Sequence, residues 1–317
     1  MGVTKFLLLC LFAFSLGLPS VHAKASMNGY VAAGLEHDSN LAVDELDASS
    51  DQNDEALVMD AGLEGAFNPA QSVNLILGYD FSGRRYHNLD QFDQDAHLLS
   101  ADLSVDIDAI SLGTSYHYSY ITLDTDRFLD LHRASVYLGS LVGDSAYVLG
   151  SLHTTRKDFA VDNDRNSDTV GGSFDTFLFF NGSQRTVVLG VDIDNEDAKS
   201  DAFNNRLIRL RATYLHRFQL AGNASRFRFG VRYEDRQFDD IVVTEEERRP
   251  APVFAPIITE RTSERTDTAW IVDASWRLGL NDTLSLEPSI SYGNYTSPVA
   301  SADFDRLLVG LSIRADF

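Results

Sequence analysis

Apolar and polar positions alternate along most of the chain with a period of two, the spacing of a strand whose side chains project to opposite faces. The pattern is plain in Val187, Leu189, Val191 and Ile193, in Phe227, Phe229, Val231 and Tyr233, and in Leu284, Leu286, Pro288, Ile290 and Tyr292. It returns at the end of the chain in Leu307, Val309, Leu311, Ile313, Ala315 and Phe317. Asp, Arg, Ser, Glu and Gly fill most of the positions between. About 14 such segments recur, one in roughly every 20 residues. They begin near Gly29, Glu55, Ser72, Ala96, Ala109, His132, Ala146, Asp168, Arg185, Arg206, Ser225, Thr268, Thr283 and Arg306. The spacing predicts an all-β chain.

The connections alternate between short and long. Asn68 to Gln71, Asp108-Ala109, Gly143 to Ser145, Asn181 to Ser183, Ala221 to Asn223 and Asn281-Asp282 are short and rich in turn residues. His37 to Asp54, Gly83 to Asp95, Lys157 to Ser167, Asn195 to Asn205 and Gln237 to Asp267 are long. An even strand count, tight turns at one end, longer loops at the other and apolar-out, polar-in alternation together describe a transmembrane antiparallel up-and-down β-barrel. A closed barrel also removes the aggregation hazard of an apolar edge strand. A soluble sandwich or propeller would leave the loop asymmetry without a cause.

The first 23 residues read differently. Lys5 is followed by an apolar run from Phe6 to Leu18, then by Val21 and Ala23 as small residues before a cleavage point, the layout of a secretory signal peptide. Residues 24–317 are then the barrel, exported through the inner membrane to the cell outer membrane of a Gram-negative bacterium. The stretch from Lys24 to Met27 is short, leaving no room for a plug or a periplasmic repeat array ahead of the first strand. No later stretch approaches the roughly 20 apolar residues of a membrane helix. The single cysteine, Cys10, lies in the leader, so the mature chain offers no disulfide, thiolate ligand or cysteine nucleophile. Without Lys5 the formal charge goes from −21 to −22, which disfavours nucleic acid as a partner.

If the apolar stripes face lipid, the intervening residues face the lumen. Strands one to four then contribute Glu36, Asp60, Glu64, Asp80, Asp102 and Asp106, and strands ten and eleven contribute Arg209, Arg211, Arg217, Arg226, Arg228 and Arg232. Closure would set an acidic wall across from a basic one, a transverse field able to orient charged or dipolar solutes. The plainer expectation is that neighbouring charges, such as Asp192 and Asp194 beside the arginines of strand ten, form ladders that fill the interior. Fourteen strands lie between barrels packed with side chains and those that hold an aqueous channel. An open passage therefore requires that loops not fold inward. The longest loop, with Pro250, Pro252 and Pro256 among Val253, Phe254, Ile257 and Ile258, is the best candidate for a constriction or partner contact, with a disordered surface loop the equal alternative. The first loop clusters Asp38, Asp44, Glu45, Asp47, Asp51, Asp54 and Glu55; a solvated acidic surface is the default reading, and divalent cations the sharper one. Tyr116, Tyr118 and Tyr120 share one face, as do Trp270 and Trp276, which suits interfacial girdles or sheet packing.

Catalytic chemistry has weak support. Ser115 and His117 share a face and Asp102 or Asp106 is on the next strand, but no Gly-x-Ser-x-Gly turn surrounds the serine and the other histidines are scattered. No enzymatic activity, cofactor or metal is expected.

The segment from Gly29 into Asp38-Ser39-Asn40-Leu41 resembles the opening of the C-terminal barrel of surface lipoprotein assembly modifiers. The ending from Phe304-Asp305-Arg306 to Phe317 is similar to that family's last strand, and the terminal aromatic resembles the insertion signal read by the barrel insertion machinery. The resemblance spans nearly the whole mature chain through short motifs. It implies export or assembly of surface components, with lipoprotein cargo or a separate periplasmic partner in place of the family's repeat region. A porin-like diffusion channel for small solutes is the alternative. Outer-membrane lipid is the surrounding partner in either case, and the barrel is expected to be a monomer.

Overall fold

A computed structural model describes residues 24–43, 46, 48–239, 241–246 and 258–317. The expected signal segment and the Pro250 to Ile257 tip of the longest loop lie outside the described residues. Fourteen antiparallel strands close into one barrel. The first seven are β1 (Lys24–Asp38), β2 (Asp54–Ala70), β3 (Val73–Tyr86), β4 (Gln94–Ile107), β5 (Ile110–Leu123), β6 (Asp126–Val142) and β7 (Ala146–Phe159). The rest are β8 (Ser167–Phe180), β9 (Arg185–Ala198), β10 (Asn205–Leu220), β11 (Asn223–Phe238), β12 (Thr266–Gly279), β13 (Leu284–Thr296) and β14 (Phe304–Asp316). Each pairs with its sequence neighbours, and β1 closes onto β14. Every strand exceeds the 9–11 residues that a tilted strand needs to cross a bilayer core.

Period-two alternation decides which side chains meet lipid. Val31, Leu35, Leu99, Val136, Leu138, Leu152, Val170, Phe174, Leu189, Leu210, Ile290, Leu311 and Ile313 are exposed on the outer surface. In water so much exposed apolar area would drive association, whereas in a bilayer it is the required outer face. Aromatic side chains border it. Tyr118, Tyr233 and Trp270 face outward toward the long-loop end, with Tyr233 and Trp270 ring centroids 4.7 Å apart. Phe67, Phe180, Phe218 and Trp276 do so toward the short-turn end. These positions suit a girdle, and the ring contacts also pack neighbouring strands.

Two expectations change. The sixth strand, expected from near His132, begins earlier: Asp124 and Thr125, both at positive φ (50° and 67°), make a two-residue hairpin turn after β5. Strand β6 consequently starts at Asp126, six residues before His132. The alternation there is inverted, which hid it. Leu129 and Leu131 point into the lumen and Arg127 and Asp130 pair with each other at 2.5 Å. The same inversion occurs around the long-loop rim, where Leu129, Phe159, Leu207, Phe238, Ala269 and Ile271 are buried inside the barrel. The outer third of the lumen is thus lined with apolar side chains, not uniformly polar ones.

The second change concerns the loops. The first loop, expected as a solvated acidic surface, enters the mouth. Asn40 and Leu41 are buried, and the ribbon formed by Ala42–Val43 and Ala48–Ser49 packs near the short helical turn Ala300–Ala302. Arg165, from the loop between β7 and β8, reaches the Leu46 carbonyl at 3.0 Å. The described part of the longest loop is an antiparallel ribbon, Ile241–Glu246 with Ile258–Ser263, outside the barrel sheet.

Candidate functional site

The twelve charged residues assigned to the lumen all project into it. Alternation and register carry the inward direction around the wall, through Glu36↔Ala56, Glu64↔Gly78, Asp80↔Leu98, Asp102↔Ser115, Arg209↔Glu234 and Arg226↔Arg277. β3 and β10 stand seven strands apart in a ring of fourteen, so the acidic and basic groups face each other across the barrel.

Most of the basic wall is neutralised where it stands. Arg209 Nε lies 2.7 Å from Glu234, Arg232 shares the same carboxylate at 3.1 Å, and Arg211 bridges Asp192 (2.9 Å) and Asp175 (3.1 Å). Arg228 pairs with Asp273 and Arg277 with Glu287. The ladder expectation is right for these. Arg217 and Arg226 differ. They oppose each other in register, Arg226 also opposes Arg277, and neither has a carboxylate within 4.0 Å among the described residues. Like charges in directly opposed cross-strand positions destabilise a sheet. This rung lies close to the short-turn end, three residues inside the ends of β10 and β11.

The acidic wall is less compensated. Glu36 is paired with Arg84 at 3.0 Å. Asp80, Asp102 and Asp106 accept hydrogen bonds from neutral donors: Tyr30 Oη at 3.3 Å, Tyr137 Oη at 2.7 Å, and Ser111 Oγ at 2.6 Å with Asn74 Nδ2 at 3.0 Å. These three, with Asp60 and Glu64, have no cation within 4.0 Å among the described residues. Five uncompensated carboxylates thus face two uncompensated guanidiniums.

Asp38, Ser39 and Asn40 form a lock with the last strand. The Asp38 carboxylate, fully buried, accepts from Arg306 Nη2 at 2.7 Å and from Tyr86 Oη at 3.3 Å. Ser39 Oγ accepts from the Leu307 amide at 2.8 Å, and Asn40 Nδ2 donates to the Asp305 carbonyl at 3.2 Å. Asn40 Oδ1 takes the Asp51 amide at 3.0 Å, which turns the loop inward. At the other end of the seam, the Phe317 and Gly29 backbones exchange hydrogen bonds of 2.9 and 2.8 Å, and the Phe317 ring faces outward, exposed. Of the other first-loop acids, Asp54 is held by the Asn88 and Leu89 amides at 2.7 and 2.9 Å, while Asp44, Glu45 and Asp47 lie outside the described residues. Among the described residues no group of three or more His, Cys, Asp and Glu side chains is arranged to hold a metal.

Ser115 and His117 share the lumen face but do not meet: Ser115 Oγ lies 2.7 Å from Ser135 Oγ, and Asp102 is taken by Tyr137. A histidine that sequence reasoning set aside as solitary is paired instead. His153 Nε2 lies 2.7 Å from Asp194 Oδ1, reaching across β8 at Gly171. A Cβ at Gly171 would sit 1.9 Å from that oxygen, so only glycine admits the contact. The bare glycine between two charged strands was the available signal.

Cavities lined by the described residues open along the lumen. One of about 590 Å³ opens at the short-turn end beside Tyr30, Glu64, Asp80 and Arg314. One of about 400 Å³ fills the outer half beside β6 to β13. A third, about 300 Å³, lies under the first loop against Arg84, Tyr86 and Arg306.

No protein-family model and no curated protein matches the chain. Solved structures do. The anion-selective porin from Comamonas acidovorans superposes with a TM-score of 0.54 at 8% identity, over 93% of this chain and 100% of that one. OmpT, an outer membrane protein of Vibrio cholerae, gives 0.53 at 10% identity over 95% and 99%. Its loop L8 deletion mutant gives 0.51 at 9% over 94% and 100%. The chain therefore has the fold of an outer-membrane β-barrel.

Proposed function

We propose that the protein is a diffusion channel for small charged solutes. The observation that carries this is the pair of opposed, incompletely neutralised walls. Charges left unpaired inside a protein cost stability, and a barrel that only needed filling would pair them as β9 to β11 largely do. Uncompensated carboxylates facing Arg217 and Arg226 set a field across any solute that passes. The barrel fold shared with the Comamonas porin supports the reading.

Planar-bilayer recording tests it. The wild type should give stable conductance steps, and replacing residues 42–49 by a short Gly-Ser turn should enlarge them by withdrawing the inward loop. Arg217→Ala with Arg226→Ala should shift the reversal potential toward cation preference, and Glu64→Gln with Asp102→Asn toward anions. Silence from both the wild type and the loop replacement would overturn the channel.

A second reading, export or assembly of surface components with a periplasmic partner, draws on one observation. The two segments that resemble surface lipoprotein assembly modifiers, at Asp38 to Asn40 and at Asp305-Arg306, are brought together in one lock. Capture of a lipoprotein substrate by the purified barrel, with no conductance in either channel variant, would favour it.

A further inference from the structure

The outer cavity is built differently from the rest of the lumen. Arg133, Thr155 and Thr169 lie in register on β6, β7 and β8 and form one wall. Leu207, Ala269 and Ile271, all buried, line the other side, with Tyr295 and Phe304 stacked 4.5 Å apart at the rim. Other cations lining the cavity are engaged: Lys157 with Glu196 at 3.2 Å, Arg209 and Arg232 with Glu234. Arg133 makes no hydrogen bond and no ion pair within 4.0 Å among the described residues. Beside it, Thr155 is 6% exposed and its hydroxyl is buried with no partner among the described residues. That oxygen has no accessible surface, so Thr155 presents its methyl group to the cavity and Arg133 is the polar group that faces it.

We propose that this cavity binds a small monocarboxylate with an apolar or aromatic body. The carboxylate takes the Arg133 guanidinium fork, a geometry for which arginine is suited. The body lies against Leu207, Ala269 and Ile271. A second negative charge is disfavoured because Asp194, Glu196, Glu234 and Asp267 also line the space. At about 400 Å³ the volume falls in the range of small-ligand pockets. The inference deepens the channel reading by naming what the outer vestibule selects, but its test does not depend on conductance.

Isothermal titration of the folded protein in detergent micelles, with benzoate, benzamide and benzylamine, decides it. Benzoate should bind, and the neutral and cationic analogues should bind at least about tenfold more weakly, as loss of a charged hydrogen bond requires. Arg133→Gln should weaken benzoate by about tenfold or more. Arg156→Gln, a charge-matched change on the outer surface, should leave affinity as it was. Heat-modifiable gel mobility reports that each variant is folded. Benzoate binding that is absent, that survives Arg133→Gln, or that benzamide equals would overturn the site. Conductance without benzoate binding removes only this inference; benzoate binding without conductance removes only the channel.

Discussion

Replacing Asp38 by Ala should damage the barrel far more than an exposed acid of similar geometry. Asp38 accepts from Arg306 Nη2 at 2.7 Å, from Arg306 Nε at 3.1 Å and from the Asn40 amide at 3.1 Å. The side chains of Arg306 and Asp38 are 15% and 0% exposed, so solvent does not replace the missing carboxylate. Removing one partner of a buried pair costs roughly 3–5 kcal/mol. At a denaturant slope of about 3 kcal/mol per M urea, the lower figure moves the midpoint by about 1 M. Arg156 and Asp168 make a similarly close pair, at 2.9 and 3.0 Å, but are 55% and 59% exposed, and Asp168→Ala should cost about 1 kcal/mol or less. Urea unfolding in lipid vesicles, followed by heat-modifiable mobility, measures both. A double-mutant cycle with Arg306→Met should return a coupling of at least about 2 kcal/mol, within the range for residues in one network. A midpoint shift for Asp38→Ala no larger than that for Asp168→Ala would refute the lock.

Two further substitutions probe the wall itself. Leu311→Arg, outward near the middle of β14, should cost roughly 2–4 kcal/mol in the same assay, while Ser312→Arg, inward and opposite Glu287, should be tolerated; equal effects would contradict the assigned faces. Gly34→Ala should weaken the β1–β14 seam by roughly 1–3 kcal/mol, because the added Cβ would lie 2.3 Å from the Leu311 carbonyl oxygen and 2.6 Å from the Ser312 Cα. A gel mobility and urea midpoint matching wild type would show that the seam relaxes around it.

The strand count and the inward set of charges were legible because lipid imposes one rule on every strand: alternate residues must be apolar. Parity alone placed Glu36, Asp60, Arg217 and Arg226 in the lumen. Above the lipid the rule lapses, and that is where the reading failed. Leu129 and Leu131 are apolar and inward, so β6 was missed as far as His132. Which charges remain unneutralised was not legible either, since it depends on register: Arg217 faces Arg226 only because β10 and β11 pair there. The Asp38–Arg306 contact joins residues 268 positions apart, a partnership no local pattern announces. Entry of the first loop was not legible for a related reason. The anchoring of the first loop comes from Asn40 holding the Asp51 amide and the Asp305 carbonyl, which lies 265 positions away.

That anchoring ties the stability of the seam to the width of the mouth. The segment that closes the barrel, Asp38 to Asn40, is also the one from which the first loop turns inward. Asp38 binds the Asn40 amide as well as Arg306, so loss of its carboxylate frees the root of the loop at the same time as it weakens closure. Asp38→Ala should therefore give larger or noisier conductance steps as well as a lower urea midpoint. The replacement of residues 42–49 should enlarge conductance while leaving the midpoint near wild type, because the lock remains intact. If Asp38→Ala lowers the midpoint but leaves conductance unchanged, the loop is held from its far side. The Arg165 contact with the Leu46 carbonyl and burial of Leu41 would then be sufficient to keep it in the mouth.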